Sequence, residues 1–489
     1  MPGQAGRPPN VLFIWTDQQR PDTLGAYETT EHPHSGGGRR QGARELIRTP
    51  NLDRLAGGST LFERAYCAQP VCSPSRASVL TGVHPHTHGV TENGVPLART
   101  VPTLAELLRP AGYACGYVGK WHLGWERTAQ RGFEDFWIST ESYWGGYEAG
   151  SPEARGATSY HQFLVERGYA ALDGKLGREA AARLPEAAGK PAFQAEQCVR
   201  FLETCRDRPF LLMCNFLEPH PPYTGPLDDL YDPNTMTLPD SWDGQLEPSA
   251  PRHYHDLRAE TERVPKGRLG ANDERDWKAL KARYWGSCTL VDKYVGVILA
   301  RLEALGLAED TIVVYSTDHG DMMGEHHLLG KGVPYEGATR VPLIVRVPHL
   351  PASAGRRVET PVSQVSLIPT LLELTGQPAP AHTQGPSRGP LVPLVRDGGA
   401  APADAEVVIE WRDWRAIRRG EWKLTVHATG VVELYDLVAD PGETHNAAAD
   451  PENRGVLRDL DERLRAWQRR TGDTLALPRP APAPVGQAV

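Results

Sequence analysis

Cys72, Pro74, Ser75 and Arg76 open a run that closes on Thr81-Gly82. The spacing predicts a helix that begins at the cysteine, carries Pro74 where the first turn tolerates a missing N–H, and stops at the glycine. A thiol at the mouth of a helix faces unpaired N–H groups and the positive end of the dipole, which lower its pKa and attract anions. For a cysteine taken alone, the competing reading is a small buried side chain beside a turn. Two acidic pairs add to the chemistry. Asp17-Gln18 follows the apolar run 11–15, and Asp318-His319-Gly320 follows the run 311–315. Such runs read as strands buried on both faces of a parallel sheet, whose ligands bind beyond the carboxyl ends of the strands. Carboxylates delivered there by two strands can converge on one divalent cation. Taken singly, each also reads as a cap on a following helix.

Further polar residues stand in positions that suit an anion pocket. Lys120 and His122 are two apart and share one side if that stretch is extended. His220 lies between Pro219 and Pro221-Pro222, which fix the backbone around it. The competing readings are a surface Lys-x-His and a rigid turn with an exposed histidine.

The elements that must hold these groups follow from the hydrophobic pattern. Continuous apolar runs at 11–15, 210–214, 311–315 and 341–345 alternate with helical patterns at 52–56, 103–108, 195–205 and 277–305. That alternation predicts a doubly wound α/β core. A Pro/Gly-rich stretch at 376–390 marks a boundary. Beyond it, short strand-like runs at 407–411, 414–418, 423–427 and 431–435 precede a helix at about 453–470. The expected organisation is a catalytic α/β domain at 8–385, a C-terminal α+β subdomain at 386–475 and a disordered, Pro/Ala-rich tail at 476–489. Segments 29–48 and 143–195 read as insertions over the sheet.

Composition excludes several classes. The 489-residue chain is 40% hydrophobic and 23% charged, an ordinary globular balance. Its net charge of −8 and the absence of a basic block argue against nucleic acid. No run of about 18 apolar residues predicts a membrane span, and the polar start, 1–9, does not read as a signal peptide, so a cytoplasmic location is expected. Seven cysteines without a CxxC pair argue against a disulfide framework or a zinc ribbon. Oligomeric state is not legible.

Cys72-x-Pro74-Ser75-Arg76 followed by Thr81-Gly82 resembles the signature of the type I sulfatases of the alkaline phosphatase superfamily. Other stretches match that family in order: Gly119-Lys120-x-His122, Pro219-His220-x-Pro222-Tyr223, Gly330-Lys331-Gly332, and the run from Tyr335 to Pro342. The resemblance covers roughly 8–470. It implies an alkaline-phosphatase-like fold, a large mixed sheet flanked by helices, with a smaller C-terminal antiparallel sheet plus helix. It implies that Cys72 is converted to 3-oxoalanine (formylglycine) by a formylglycine-generating enzyme. The hydrated aldehyde offers one oxygen to attack sulfur and a second hydroxyl that expels sulfate. The implied cation site is Asp17, Gln18, Cys72, Asp318 and His319, holding Ca²⁺, with Mn²⁺ or Mg²⁺ as alternatives. Gln in place of Asp removes a charge, and His in place of Asn adds a nitrogen donor that Mn²⁺ accepts more readily than Ca²⁺.

The resemblance also implies roles for the remaining residues. Lys120 and Lys331 neutralise sulfate oxygens, and His122 takes a proton when sulfate is eliminated. His220 donates to the leaving oxygen, Arg76 orients the nucleophile, and Asn93 contacts the substrate anion. The implied substrate is a small-molecule or saccharide sulfate ester. Asp17-Gln18 with Asp318-His319 resembles choline sulfatases and phosphonate monoester hydrolases, and Asp-His alone resembles iduronate sulfatase. Phosphonate monoester or phosphodiester hydrolysis is therefore the alternative activity. His84, His86 and His88 alternate like metal ligands, but the same run occurs in sulfatases without a metal there, so they are taken as structural. Trp144, Tyr147, Trp242, Trp285 and Trp411 are aromatic candidates for stacking on a substrate ring.

Overall fold

The computed structural model describes residues 7–28, 46–124, 129–139, 159–170, 176–242, 244, 246, 250–263, 273–381, 383–384, 391–396 and 405–480. Most of the expected insertion at 29–48, much of that at 143–195 with Trp144 and Tyr147, and the end of the tail lie outside the described residues.

Among the described residues, nine strands form one sheet: β1 (Asn10–Asp17), β2 (Thr60–Tyr66), β3 (Ala114–Gly119), β4 (Asp135–Ile138), β5 (Phe210–Pro219), β6 (Thr311–Thr317), β7 (Arg340–Arg346), β8 (Arg356–Val358) and β9 (Val362–Ser363). The order is β4-β3-β5-β1-β6-β7-β2-β8, with β9 also paired to β2. β1 is central and parallel to both β5 and β6, whereas β7 runs antiparallel to β6 and to β2. The sheet is therefore mixed, as expected.

The continuous apolar runs have the predicted cause. Val11, Phe13 and Trp15 of β1 pack into the core on one face, with the helices Cys72–Thr81 and Leu367–Leu374. Leu12 and Ile14 pack into the core on the other, with Lys190–Cys205 and Glu274–Ala304. Both faces of the strand are covered, so no polar alternation remains to be read. β5 continues five residues past its apolar run, to Pro219, and so carries the chain up to His220. β2 was not legible because Glu63 and Arg64 interrupt its pattern, where a register shift separates Phe62 from Ala65.

The C-terminal sheet is the antiparallel meander β10 (Glu406–Glu410), β11 (Trp414–Arg419), β12 (Trp422–His427) and β13 (Val432–Asp436). The helix Arg454–Thr471 covers it, burying Leu460, Leu464 and Trp467 against Ile417, Leu424, Val426 and Leu434. The meander joins the large sheet's layer through Glu410, whose N–H donates to the Ala68 carbonyl at 2.8 Å. His84 and His86 meet Glu410 at 3.3 and 2.7 Å and lie edge-on to Trp467, so they tie the two sheets together. His88 bonds the Ser78 hydroxyl at 3.0 Å. These three histidines are structural, as read from the sequence. No helix among the described residues is long and apolar enough to cross a membrane.

Candidate active site

β1 and β6 are in register through Thr16 and Thr317, so Asp17 and Asp318 leave the sheet side by side. Neither carboxylate caps a helix. Gln18 takes φ 66°, in the left-handed region that non-glycine residues rarely occupy. That turn lets its N–H donate to Asp318 Oδ1 at 3.0 Å.

The helix Cys72–Thr81 is buried along its whole length and begins at the cysteine, with Gly82 ending it at φ 73°. Its first turn points at the two strand ends. The Ser75 hydroxyl donates to the Asp318 carbonyl at 2.5 Å. Cys72 Sγ lies 3.3 Å from His319 Nε2, 3.8 Å from Asp17 Oδ1 and 3.0 Å from Lys331 Nζ. Ligand atoms of Asp17, Cys72, Asp318 and His319 all fall within 4.8 Å of one another, and all four residues are buried. His319 Nδ1 faces the Gly320 carbonyl at 2.9 Å, an acceptor only, which leaves Nε2 to the cluster. Gln18 Oε1 lies 2.8 Å from Lys331 Nζ at its edge. Two carboxylates, an amide oxygen, an imidazole nitrogen and the Cys72 side chain form a donor set that fits a divalent cation.

Arg76 is wholly buried and organises the cluster from behind. Its guanidinium donates to Asp17 Oδ2 at 2.8 Å, Asp318 Oδ2 at 3.0 Å, the Lys120 carbonyl at 2.8 Å and Asn215 Oδ1 at 3.1 Å. It was expected to orient the nucleophile. Its printed hydrogen bonds go instead to the carboxylates, so it acts on the nucleophile through them.

The electrostatics follow from this packing. Burial opposes the Cys72 thiolate, but Lys120, Lys331 and His319, with a hydrogen bond from His122, hold its pKa well below the ordinary thiol value. Burial and Cys72 push the Asp17 carboxyl up, and Lys120, His220 and Arg76 outweigh them, so it stays below the usual carboxylate range. Asp318 is raised, by burial first and then by Asp17. Burial depresses His319 and Lys331, yet Asp318 raises the first and Cys72 raises the second. The site is a matrix of fixed opposite charges closed to water.

Lys120 and His122 reach the site by a different route from the one expected. β3 ends at Gly119 with φ 111°, and His122 has φ 63°, so the stretch is a turn and not an extended segment. Lys120 is buried with Nζ 2.6 Å from Asp17 Oδ2, and the His122 carbonyl accepts from the Ser73 hydroxyl at 2.7 Å. His220 follows β5 and directs Nδ1 to the Pro221 carbonyl at 2.8 Å. Asn93 Oδ1 accepts the Ser73 N–H at 3.0 Å, and so caps the nucleophile's helix. Trp285 is core, edge-on to Tyr231, whereas Trp411 is half-buried beside Gly332.

Sequence reasoning missed two residues and underused a third. Asn215 ends the apolar run 210–214 and accepts from Arg76. Asp321, three residues past Asp318, is wholly buried and accepts from Gln18 and from Tyr223, a residue noted only as the end of a motif. A polar residue closing a buried strand was the available signal for Asn215.

A mixed sheet presenting acidic residues from adjacent strands to a buried cysteine at a helix mouth defines a metal-assisted hydrolase of the alkaline phosphatase superfamily. The sulfatase family profile matches residues 9–377, and the profile of the N-sulphoglucosamine sulphohydrolase C-terminal family matches 324–470. The chain belongs to the sulfatase family and is a sulfuric ester hydrolase by class. It is 30% identical to iduronate 2-sulfatase of Mus musculus over 437 residues, covering 80% of this chain and 72% of the relative. It is 27% identical to the ulvan-active sulfatase of Formosa agariphila over 491 residues, covering 95% and 82%. The crystal structure of the phosphonate monoester hydrolase of Agrobacterium radiobacter superposes with a TM-score of 0.74 at 26% identity, covering 95% of this chain and 96% of that one.

Proposed function

We propose that this chain releases inorganic sulfate and an alcohol from a sulfate ester, with Cys72 matured to formylglycine as the source of the nucleophile. The observation that carries this is the convergence of Cys72 Sγ, two strand-end carboxylates, His319 and Lys331 in one buried cluster. A divalent cation bound there, Ca²⁺ first and Mn²⁺ or Mg²⁺ as alternatives, withdraws charge from the sulfuryl oxygens and holds the nucleophile in line. The aldehyde hydrate supplies one hydroxyl for attack and a second for expelling sulfate, an exit that a serine ester lacks.

The chain's own residues do the rest. Asp17, Gln18, Asp318 and His319 hold the cation, and Arg76 keeps both carboxylates aligned. Lys120 and Lys331 are ammonium groups fixed before substrate arrives, so they stabilise developing charge without reorganising. Asn93 joins them on the substrate anion. His220, with Nδ1 engaged by a carbonyl, turns its other nitrogen to the leaving oxygen and donates a proton as the ester bond breaks. His122, hydrogen-bonded to Cys72, takes a proton when sulfate is expelled.

The substrate is a small-molecule or saccharide sulfate, a class supported by relatives whose names carry iduronate and ulvan. Maturation requires a formylglycine-generating enzyme, and the expected compartment is the cytoplasm. The organisation we propose is a catalytic domain at 8–385, a C-terminal subdomain at 386–475 and a disordered tail from 476.

The second reading is phosphonate monoester or phosphodiester hydrolysis, favoured by the likeness to the Agrobacterium enzyme and by Gln18 with His319. Rates on sulfate and phosphate esters of one phenol separate the two. The sulfatase reading expects kcat/KM to be larger for the sulfate; a larger value for the phosphate diester or phosphonate would reverse it.

A further inference from the structure

Asp321 is wholly buried, and its carboxylate accepts four hydrogen bonds. Oδ2 takes Gln18 Nε2 at 2.5 Å and the Tyr223 hydroxyl at 2.5 Å. Oδ1 takes the backbone N–H groups of Met323 at 2.8 Å and Gly330 at 3.0 Å. The Gln18 amide therefore lies between a carboxylate on its nitrogen side and the Lys331 ammonium, 2.8 Å from its oxygen. A carboxylate only accepts and an ammonium only donates, so these neighbours permit one orientation of the amide. Reversed, the nitrogen would face Lys331 and the oxygen would face Asp321, a mismatch at both ends. The same carboxylate ties Met323 to Gly330 and so closes the loop that delivers Lys331 to Cys72.

We propose that Asp321 is a positioning residue that turns Gln18 Oε1, and not Nε2, toward the cation site, while setting the loop that carries Lys331. The inference rests on Gln18 being a cation ligand. It also accounts for an amide at position 18. A carboxylate there would stand against Asp321 at hydrogen-bond distance with no proton between them.

The chemistry predicts a specific rescue. In Asp321→Asn, the two backbone N–H groups keep the new carbonyl oxygen, which leaves an amide nitrogen facing Gln18. The Gln18 amide then reverses and presents its nitrogen to the site. Gln18→Glu alone sets two carboxylates together. In the double variant, Gln18→Glu with Asp321→Asn, the glutamate accepts from the new amide and still offers an oxygen to the cation.

The test is calorimetric titration of the metal-free, full-length protein with calcium chloride, and separately with manganese chloride. Asp321→Asn is expected to weaken binding about 10- to 100-fold, the range found when groups that orient metal ligands are changed. The double variant is expected to recover to within about threefold of wild type. A residue that is merely structural would give no such recovery. Wild-type affinity in Asp321→Asn, or a double variant that binds no better than that single one, overturns the proposal. Thermal melting without metal gives a second reading. Gln18→Glu is expected to lower the melting temperature in the wild-type background and not in the Asp321→Asn background, and equal falls in both overturn the proposal. Wild-type cation binding tests the proposed site, and the variant comparison tests Asp321, so the two fail separately.

Discussion

Arg76 offers the sharpest mutational test, because four partners and complete burial make its removal calculable. Its guanidinium bridges Asp17 and Asp318 at 2.8 and 3.0 Å and also holds the Lys120 carbonyl and Asn215. Arg76→Met leaves two buried carboxylates without their shared countercharge. Breaking a buried ion pair from one side costs about 3–5 kcal/mol. Unfolding entropy of about 2.1 cal/mol/K per residue, over 489 residues, comes to about 1 kcal/mol per kelvin. The expected fall in melting temperature is therefore about 3–5 °C. Arg76→Lys retains one charge but cannot span both carboxylates and two further acceptors, so it should fall between Met and wild type. Differential scanning calorimetry of the metal-free proteins at pH 7 measures this directly. If both variants melt within 1 °C of wild type, the carboxylates do not depend on Arg76 and the account of the site's assembly is wrong.

Four other outcomes follow from the geometry. Lys331→Met should leave folding intact and lower kcat/KM about 10²–10³-fold, the loss found when one fixed donor to a transition-state anion is removed; a loss under tenfold would place it outside the reaction. His220→Ala should slow hydrolysis of an alkyl sulfate more than that of a nitrophenyl sulfate, since a good leaving group needs no proton, and equal losses would contradict its role. Chelation should abolish turnover and lower the melting temperature. Calcium at about 100 times its dissociation constant should restore about 2.7 kcal/mol, and a melting temperature indifferent to calcium would count against the site. The fourth outcome concerns the tie between the two sheets. His86 loses by burial but gains more from Glu410, so its folded pKa lies above 6.5. The stabilisation from protonated His86 is complete below 6.5 and is lost as pH rises through the folded value. The melting-temperature gap between wild type and His86→Gln should widen below pH 6.5 and close at higher pH, and a gap that grows with pH would refute the tie.

The legible part of this molecule is where one physical cause acts alone. β1 and β6 stood out because both faces are covered, which leaves an uninterrupted apolar run that stops at an aspartate. The nucleophile's helix was legible from Pro74 and Gly82, which sit where a first turn and a left-handed cap require them. Lys120 and His122 were chosen correctly for the wrong geometry: Gly119 and His122 both take positive φ, which a sequence does not announce for a histidine. Asp321 was invisible because its importance comes from what it accepts, Gln18 and Tyr223 from distant segments and two N–H groups of its own loop. Asn93 illustrates the same limit, since its contact with the Ser73 N–H joins a loop to a helix start twenty residues away.

Mass analysis of the peptide containing Cys72, from protein produced with and without a formylglycine-generating enzyme, tests the central claim most directly. The account predicts that co-production removes the thiol and lowers the peptide mass by the exchange of sulfur for oxygen, in step with the appearance of sulfate release. A peptide that keeps its thiol while the protein still hydrolyses sulfate esters would contradict it.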